Sequence, residues 1–202
     1  MLTANDLNAN ITSYHGGSVP PWMTQRRDAA IALYRRMDPD LLMIQEGGVL
    51  VRRGVRRVDS IANTLGHDYT VAHTENPPGS GGWVSHGVYI VYRNTRLAAV
   101  GDGSTLDLAK GKFAAFQVLR DTTSQRVFLA VTAHLVAGGA AGADAQRRQE
   151  MSDIAAEAQR ISAANGRRPR SASAAACMRP APPTTPVTAP TRCSVPLGSP
   201  TR

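Results

Sequence analysis

The first amphipathic pattern in the sequence covers about residues 24–37. Its apolar residues follow the i, i+3, i+4, i+7 spacing of one helix face and are Ala30, Leu33, Tyr34 and Met37. Thr24 is a suitable N-cap, and Asp38-Pro39-Asp40 should stop the helix, because a residue before proline avoids the helical region. The pattern therefore predicts a helix with one buried side.

Two further segments have helical spacing. In the first, a short helix is predicted to end at Gly66, and its apolar side is Val58, Ile61, Ala62 and Leu65. In the second, a long helix is predicted from about Asp144 to Ala164 and ends at Asn165-Gly166; its buried side is Met151, Ile154, Ala155, Ala158 and Ile161.

Strand patterns alternate with these helices. A first strand is predicted at Leu7 to Thr12, and the continuous apolar run from Leu41 to Ile44 predicts a strand buried on both faces. After the loop at 76–82, three more strands are predicted at Gly87 to Tyr92, Phe113 to Leu119 and Val127 to His134, the last two joined by the turn DTTSQ. The alternation indicates one layered α/β (α+β) domain.

The chain changes character at residue 169. The segment 169–202 holds eight of the thirteen prolines, four arginines, no acid and no apolar period. Such a composition cannot bury enough surface to offset a backbone entropy of about 1–2 kcal/mol per residue. We therefore predict a domain over residues 1–168 and a disordered Pro/Ala/Thr/Arg-rich tail over 169–202.

Composition excludes several classes of protein. The 202 residues are 42% hydrophobic and 19% charged, and the longest apolar stretch is interrupted by His134 and three glycines, so no membrane span is predicted. The N-terminus lacks the basic and apolar regions of a signal peptide, which favours the cytoplasm unless the start codon is misplaced. Both cysteines, Cys177 and Cys193, lie in the tail, so the domain has no disulfide or thiolate metal site.

Charge gives a weaker indication of partners. The net charge is +8, but residues 1–168 carry 19 basic and 15 acidic side chains. A basic balance suits a polyanion such as nucleic acid, and it also suits an arginine-rich solvated surface. Both interpretations stay open.

Two residues at predicted strand ends could carry chemistry. Glu46 follows the buried run 41–44, and α/β folds place ligands at the C-terminal ends of strands. One or two carboxylates, with water and phosphate oxygens, suffice to hold Mg2+. His134 ends the run VFLAVTAHL, where an imidazole can exchange a proton near neutral pH. Each residue taken alone is more often structural.

Other motifs point to no site. The glycine clusters at 16–17, 79–82 and 138–142 match neither the dinucleotide nor the P-loop pattern. The remaining histidines have no partner at metal-ligand spacing; His86, beside Gly87, is the one of weak interest.

In order along the chain, these pieces resemble the endonuclease/exonuclease/phosphatase superfamily, which has the DNase I-like fold. The matching text is NANI at 8–11, RRDAAIALYRRMDPDLLMIQE at 26–46, GVYIVYRN at 87–94, and FLAVTAHL at 128–135 followed by RRQEM at 147–151. The resemblance covers residues 1–168. It implies a four-layer sandwich of two packed β-sheets flanked by helices, here incomplete at the C-terminus.

The resemblance also implies roles for three residues. Asn10 would bind the phosphate or the attacking water, with Asn5 as a rival for this match; Glu46 would be the metal ligand; and His134 would bind substrate and act in catalysis. The implied cofactor is Mg2+, with Mn2+ as an alternative, and the implied activity is phosphodiester or phosphomonoester hydrolysis. The implied partner is a phosphate-ester substrate, with nucleic acid as one candidate.

Two family motifs do not occur in this sequence. The Gly-Asp-x-Asn strand and the Ser-Asp-His segment are absent, and the text after ANGRRP becomes proline-rich. We hypothesise a frame shift or truncation near codon 169, which translation of the other two frames would test. We expect impaired catalysis, unpaired strand edges and marginal stability. The alternative function is a non-catalytic module that binds nucleic acid or phosphate; an unrelated α/β protein is a third possibility.

Overall fold

A computed structural model of the chain describes eight segments: residues 1–5, 13–14, 17–18, 25–47, 57–72, 87–108, 112–138 and 141–165. The strands in these segments are β1 (Leu2–Asn5), β2 (Ser13–Tyr14), β3 (Gly17–Ser18), β4 (Leu41–Gln45), β5 (Tyr69–Val71), β6 (Tyr89–Arg93), β7 (Leu97–Ala99), β8 (Ser104–Asp107), β9 (Phe113–Asp121) and β10 (Val127–Ala133). The helices are α1 (Arg27–Met37), α2 (Arg57–Leu65) and α3 (Ala143–Ala164).

Two four-stranded sheets form the centre of the molecule. The first sheet has the order β1-β4-β6-β5, and the second has the order β10-β9-β7 with β8 also paired to β9. Strands β1 and β4 run parallel, with Asn5 opposite Gln45, and the other pairs are antiparallel. The parallel pair brings the C-terminal ends of β1 and β4 to the same edge.

Three apolar clusters arrange these elements in four layers. One cluster lies between the two sheets and includes Met43, Ile90 and Leu119. A second packs Tyr34 of α1 and Ile61 of α2 on the outer face of the first sheet. The third joins α3 to the outer face of the second sheet. The predicted sandwich of two sheets flanked by helices is confirmed.

The buried side of α1 differs from the prediction. Ile31 and Tyr34 are buried, whereas Leu33 and Met37 are 40% and 55% exposed. Ile31 with Tyr34 and Leu33 with Met37 both satisfy helical spacing, and in the folded chain the side of α1 that carries Ile31 and Tyr34 is the buried one. The helix ends at Asp38 as expected, with Asp38 in the left-handed region and its N–H bonded to the Tyr34 carbonyl. Thr24 lies outside the described residues.

The predictions for β4 and α2 are confirmed. All five residues of β4 are buried, as the continuous apolar run indicates. In α2, Val58, Ile61 and Ala62 are buried and Leu65 packs at the edge of their cluster. Gly66 follows the helix with a φ of +139°, a conformation that favours glycine at a helix end.

The three later strand predictions are also confirmed, with β6, β9 and β10 starting or ending within two residues of the expected bounds. Strands β5, β7 and β8 were not predicted, because each has three or four residues and no clear alternation. The first described strand is Leu2–Asn5; the predicted strand at 7–12 and the loop at 76–82 lie outside the described residues.

Helix α3 begins one residue before the predicted start and ends at the predicted residue. Ile154 and Ala158 are buried as expected, but Ala155 is exposed, so its assignment to the core is wrong. Glu150 is buried in its place on the inner side of the helix. Residues 166–202, with the predicted tail, lie outside the described segments. Within those segments, no helix has the length and apolar character that crossing a bilayer requires.

Candidate active site

Glu46 stands at the point where β4 leaves the first sheet. It follows five buried residues and has a φ of +54°, which turns its side chain at the strand end. The next residue is held by a hydrogen bond from the Gly47 N–H to the Gly87 carbonyl. A Cβ at Gly47 or at Gly87 would lie 2.6 or 2.7 Å from the buried Tyr89 side chain, so both positions require glycine. The backbone around Glu46 is therefore tightly fixed.

Asn5 reaches Glu46 from the neighbouring strand. Because β1 and β4 are parallel and in register at Asn5 and Gln45, both strands present their last residues at one edge. The Asn5 Nδ2 donates a hydrogen bond to Glu46 Oε1 at 3.2 Å. Asn10, the other candidate for this role, lies outside the described residues.

His134 reaches the same carboxylate from the second sheet. It follows β10, and its backbone N–H donates to the Phe113 carbonyl, which extends the pairing of β10 with β9 by one residue. Its Nε2 lies 3.5 Å from Glu46 Oε1, and the two side chains are only 13% and 15% exposed. The structure thus brings together two residues that are 88 positions apart in the sequence.

Lys112 is a fourth member of the cluster that sequence analysis missed. Its Nζ lies 3.3 Å from His134 Nε2. Burial lowers the pKa of Lys112, while the charges of Glu46 and Glu150 act in the opposite direction. A lysine just before a strand carries no motif, so the register of β9 with β10 is what places it in the site.

The space between the sheets is polar beside this cluster. Gln45 and Thr132 are buried and lie on the strand sides that face the other sheet. Gln45 Nε2 and Thr132 Oγ1 have no hydrogen-bond partner among the described residues. Buried polar atoms without a partner are unusual in an apolar core, so these strand ends are candidates for a functional site.

The donor set is compatible with a hard divalent cation. Glu46 supplies a carboxylate that Asn5 orients, and Mg2+ takes one or two carboxylates with the rest of its shell from water and phosphate. No group of three or more His, Cys, Asp or Glu suited to a metal occurs in the described part of the chain.

Comparison with known proteins identifies the fold. No protein-family model matches the sequence, and no curated protein matches it. Among solved structures, an endonuclease/exonuclease/phosphatase family protein from Bacteroides thetaiotaomicron aligns with a TM-score of 0.58 at 14% identity, over 80% of this chain and 56% of that one. An endonuclease/exonuclease/phosphatase from Bacteroides vulgatus aligns with a TM-score of 0.57 at 17% identity, over 79% of this chain and 59% of that one.

A third structure with the same architecture is a mannosyl-6-phosphatase from Bacteroides thetaiotaomicron. It aligns with a TM-score of 0.56 at 16% identity, over 79% of this chain and 59% of that chain. The present chain thus spans little more than half the length of each of these structures. The shared feature is the pair of stacked sheets flanked by helices, and the chain has the fold of these three structures.

Proposed function

We propose that this domain is a Mg2+-dependent phosphoesterase whose site is the cluster of Asn5, Glu46, His134 and Lys112. The observation that carries the proposal is the 3.5 Å approach of His134 Nε2 to Glu46 Oε1 at neighbouring sheet ends. An acid and an imidazole held this close, with an amide and an ammonium beside them, match the needs of a reaction that builds negative charge on phosphate oxygens.

Each member has a separate task in this proposal. Glu46 holds the cation, and Asn5 orients the Glu46 carboxylate through its 3.2 Å hydrogen bond. His134 binds a non-bridging phosphate oxygen or gives a proton to the departing oxygen. Lys112, 3.3 Å from the imidazole, contributes positive charge where the phosphate would lie. Asn10 stays a second candidate for the amide role.

The cation would be Mg2+, with Mn2+ as an alternative, held by Glu46 with water and substrate oxygens as the remaining ligands. When bound, it neutralises charge on the phosphate. The mannosyl-6-phosphatase with the same fold acts on a phosphomonoester by its name, and this supports the reaction class without selecting the substrate. We propose that turnover is slow, because neither Gly-Asp-x-Asn nor Ser-Asp-His occurs in the 202 residues.

Hydrolysis of bis-p-nitrophenyl phosphate and of p-nitrophenyl phosphate tests the proposal. Activity should require Mg2+ or Mn2+ and fall at least ~100-fold in Glu46→Gln and His134→Ala, as expected when groups that act in the transition state are removed. Glu157→Gln and His67→Ala are matched controls, since both residues lie away from the cluster. Equal activity in the site variants and the controls, or turnover without a divalent ion, would refute the proposal.

A non-catalytic binding module is the second candidate. It is favoured by the net charge of +8 and by the ammonium of Lys112 beside the imidazole. Such a module would bind DNA or RNA with an affinity that falls steeply with salt and would not turn over substrate. Fluorescence anisotropy with labelled oligonucleotides at 50 and 200 mM salt, run beside the hydrolysis assay, separates the two functions.

A further inference from the structure

The segment after His134 is hydrogen-bonded to α3 at Val136 and Gly138. The Val136 N–H donates to Glu150 Oε2 at 2.9 Å, and the Val136 carbonyl accepts from Arg147 Nη1 at 3.2 Å. The same Nη1 also donates to the Gly138 carbonyl at 3.0 Å. Both polar backbone groups of Val136 are thus bonded to side chains of a single helix rather than to another strand.

The two side chains belong to the inner face of α3. Glu150 is only 2% exposed, and it lies on the helix stripe that continues to Ile154 and Ala158. Its second oxygen, Oε1, accepts from Gln146 Nε2 at 2.9 Å. A buried carboxylate is costly unless its oxygens are hydrogen-bonded, and here both oxygens accept. Arg147 is mostly buried as well and pairs with Asp144 one turn earlier.

His134 lies between two fixed points of the backbone. Before it, the Phe113 carbonyl accepts the His134 N–H and ends the β9–β10 ladder. After it, Leu135 packs in the core cluster under α3, and Val136 is held by Arg147 and Glu150. The position of α3 therefore sets the direction in which the chain leaves β10, and with it the placement of the imidazole against Glu46.

We propose that Arg147 and Glu150 are positioning residues for His134, acting through the backbone of Val136. The proposal deepens the proposed phosphoesterase function and rests on it for its kinetic consequence. It accounts for polar residues on the inner side of α3, where the sequence pattern alone predicts apolar ones. A purely structural contact would stabilise the domain without changing the imidazole.

Matched substitutions on the same helix test this. Glu150→Gln keeps the shape of the side chain but places an amide NH2 against one of its two donors, the Val136 N–H or Gln146 Nε2. Glu157→Gln is its control. Arg147→Ala removes the donor to the Val136 and Gly138 carbonyls, whereas Arg147→Lys retains one donor group. Arg160→Ala is the control, because Arg160 pairs only with Glu157 among the described residues. All variants are made in the full 202-residue chain.

Two readouts do not depend on activity. Amide hydrogen exchange at Val136 should become about 10-fold faster in Glu150→Gln, because the Val136 N–H loses its charged acceptor. Exchange should also become faster in Arg147→Ala, by a smaller factor, because the Val136 carbonyl loses the donor that holds this segment against α3. The NMR resonances of the His134 ring should move in the same variants, and Arg147→Lys should recover part of the change. The control variants should leave both unchanged.

The kinetic readout is a fall in kcat of about 10- to 100-fold with little change in KM, because a misplaced catalytic group costs rate more than binding. If the wild-type chain shows no turnover, the proposed function fails while exchange and the ring resonances still test the positioning role. Unchanged Val136 exchange would overturn the inference. Faster exchange with an unmoved His134 resonance would also overturn it. Should Arg147→Ala not fold, Glu150→Gln and Arg147→Lys decide the outcome.

Discussion

Asn5 and Glu46 meet across a parallel strand pair, with Asn5 Nδ2 donating to Glu46 Oε1 at 3.2 Å. The contact follows from the register of β1 and β4, which sets Asn5 opposite Gln45, the residue before Glu46. A strand of four residues at the start of the chain therefore contributes to the candidate site.

Removal of this amide should lower activity moderately. We expect Asn5→Ala to reduce kcat about 3- to 10-fold, because an exposed hydrogen bond contributes about 0.5–1.5 kcal/mol. Asn5→Asp should reduce it further, since a second negative charge would face Glu46. Asn63→Ala, at an exposed position of α2, is the control. Wild-type kcat in Asn5→Ala would show that the contact has no catalytic role.

Lys112 should make stability depend on pH in the alkaline range. Its pKa is lowered in the folded state by burial, so above that pKa and below about 10.4 the unfolded chain binds more protons. The unfolding free energy should therefore rise with pH in this window. At pH values below the window Lys112 is buried in its charged form, and the full cost of burying that charge lowers the unfolding free energy. We expect Lys112→Met to be more stable than wild type at pH 7, with the gain shrinking toward pH 10.5.

Urea unfolding at several pH values measures this difference. Arg126→Met, at an exposed turn position, should show no comparable pH dependence relative to wild type. A Lys112→Met gain that stayed constant between pH 7 and 10.5 would contradict the assignment of burial as the dominant effect.

The close approach of Tyr89 to two glycines gives a third prediction. A Cβ at Gly47 would lie 2.6 Å from the Tyr89 ring, and one at Gly87 would lie 2.7 Å from it. Gly47→Ala and Gly87→Ala should each destabilise the domain by about 1–3 kcal/mol, the usual cost of overpacking. In a Tyr89→Leu background the added cost of Gly47→Ala should fall, and a double-mutant cycle by urea unfolding would measure it. Additive costs would exclude this contact as the cause.

The corrected face of α1 gives a fourth prediction. Ile31 is 3% exposed, so Ile31→Ala should cost about 2–5 kcal/mol of unfolding free energy. Leu33→Ala removes a similar side chain from a position that is 40% exposed, and it should cost about 1 kcal/mol or less. A larger loss of unfolding free energy in Leu33→Ala than in Ile31→Ala would instead support the buried face of α1 predicted from the sequence.

The sequence predicted the elements whose buried faces are visible in the order of apolar and polar residues. The run Leu41 to Ile44 has no polar residue and is too short for a typical helix, so it predicted the strand covered on both faces that the structure shows. The amphipathic pattern of α1 allowed two solutions, since Ile31 and Leu33 both sit beside Tyr34 on a helical projection, and only tertiary packing distinguishes them.

The site was predictable in part for the same reason. Glu46 and His134 follow apolar strands, so their position at strand ends could be inferred, while their distance depends on how two sheets stack. Lys112 and Glu150 carry no such signal. Lys112 enters the site through the register of β9, and Glu150 is buried because its oxygens accept hydrogen bonds from Val136 and Gln146.

The central claim is that Glu46 and His134 serve one metal-bound phosphate site, and paramagnetic relaxation by Mn2+ tests it most directly. In the full chain, substoichiometric Mn2+ should strongly broaden the His134 ring resonances and leave those of the exposed His67 sharp. Glu46→Gln should abolish the broadening. His134 resonances that stay sharp in the wild-type chain, or that broaden equally in Glu46→Gln, would contradict the account.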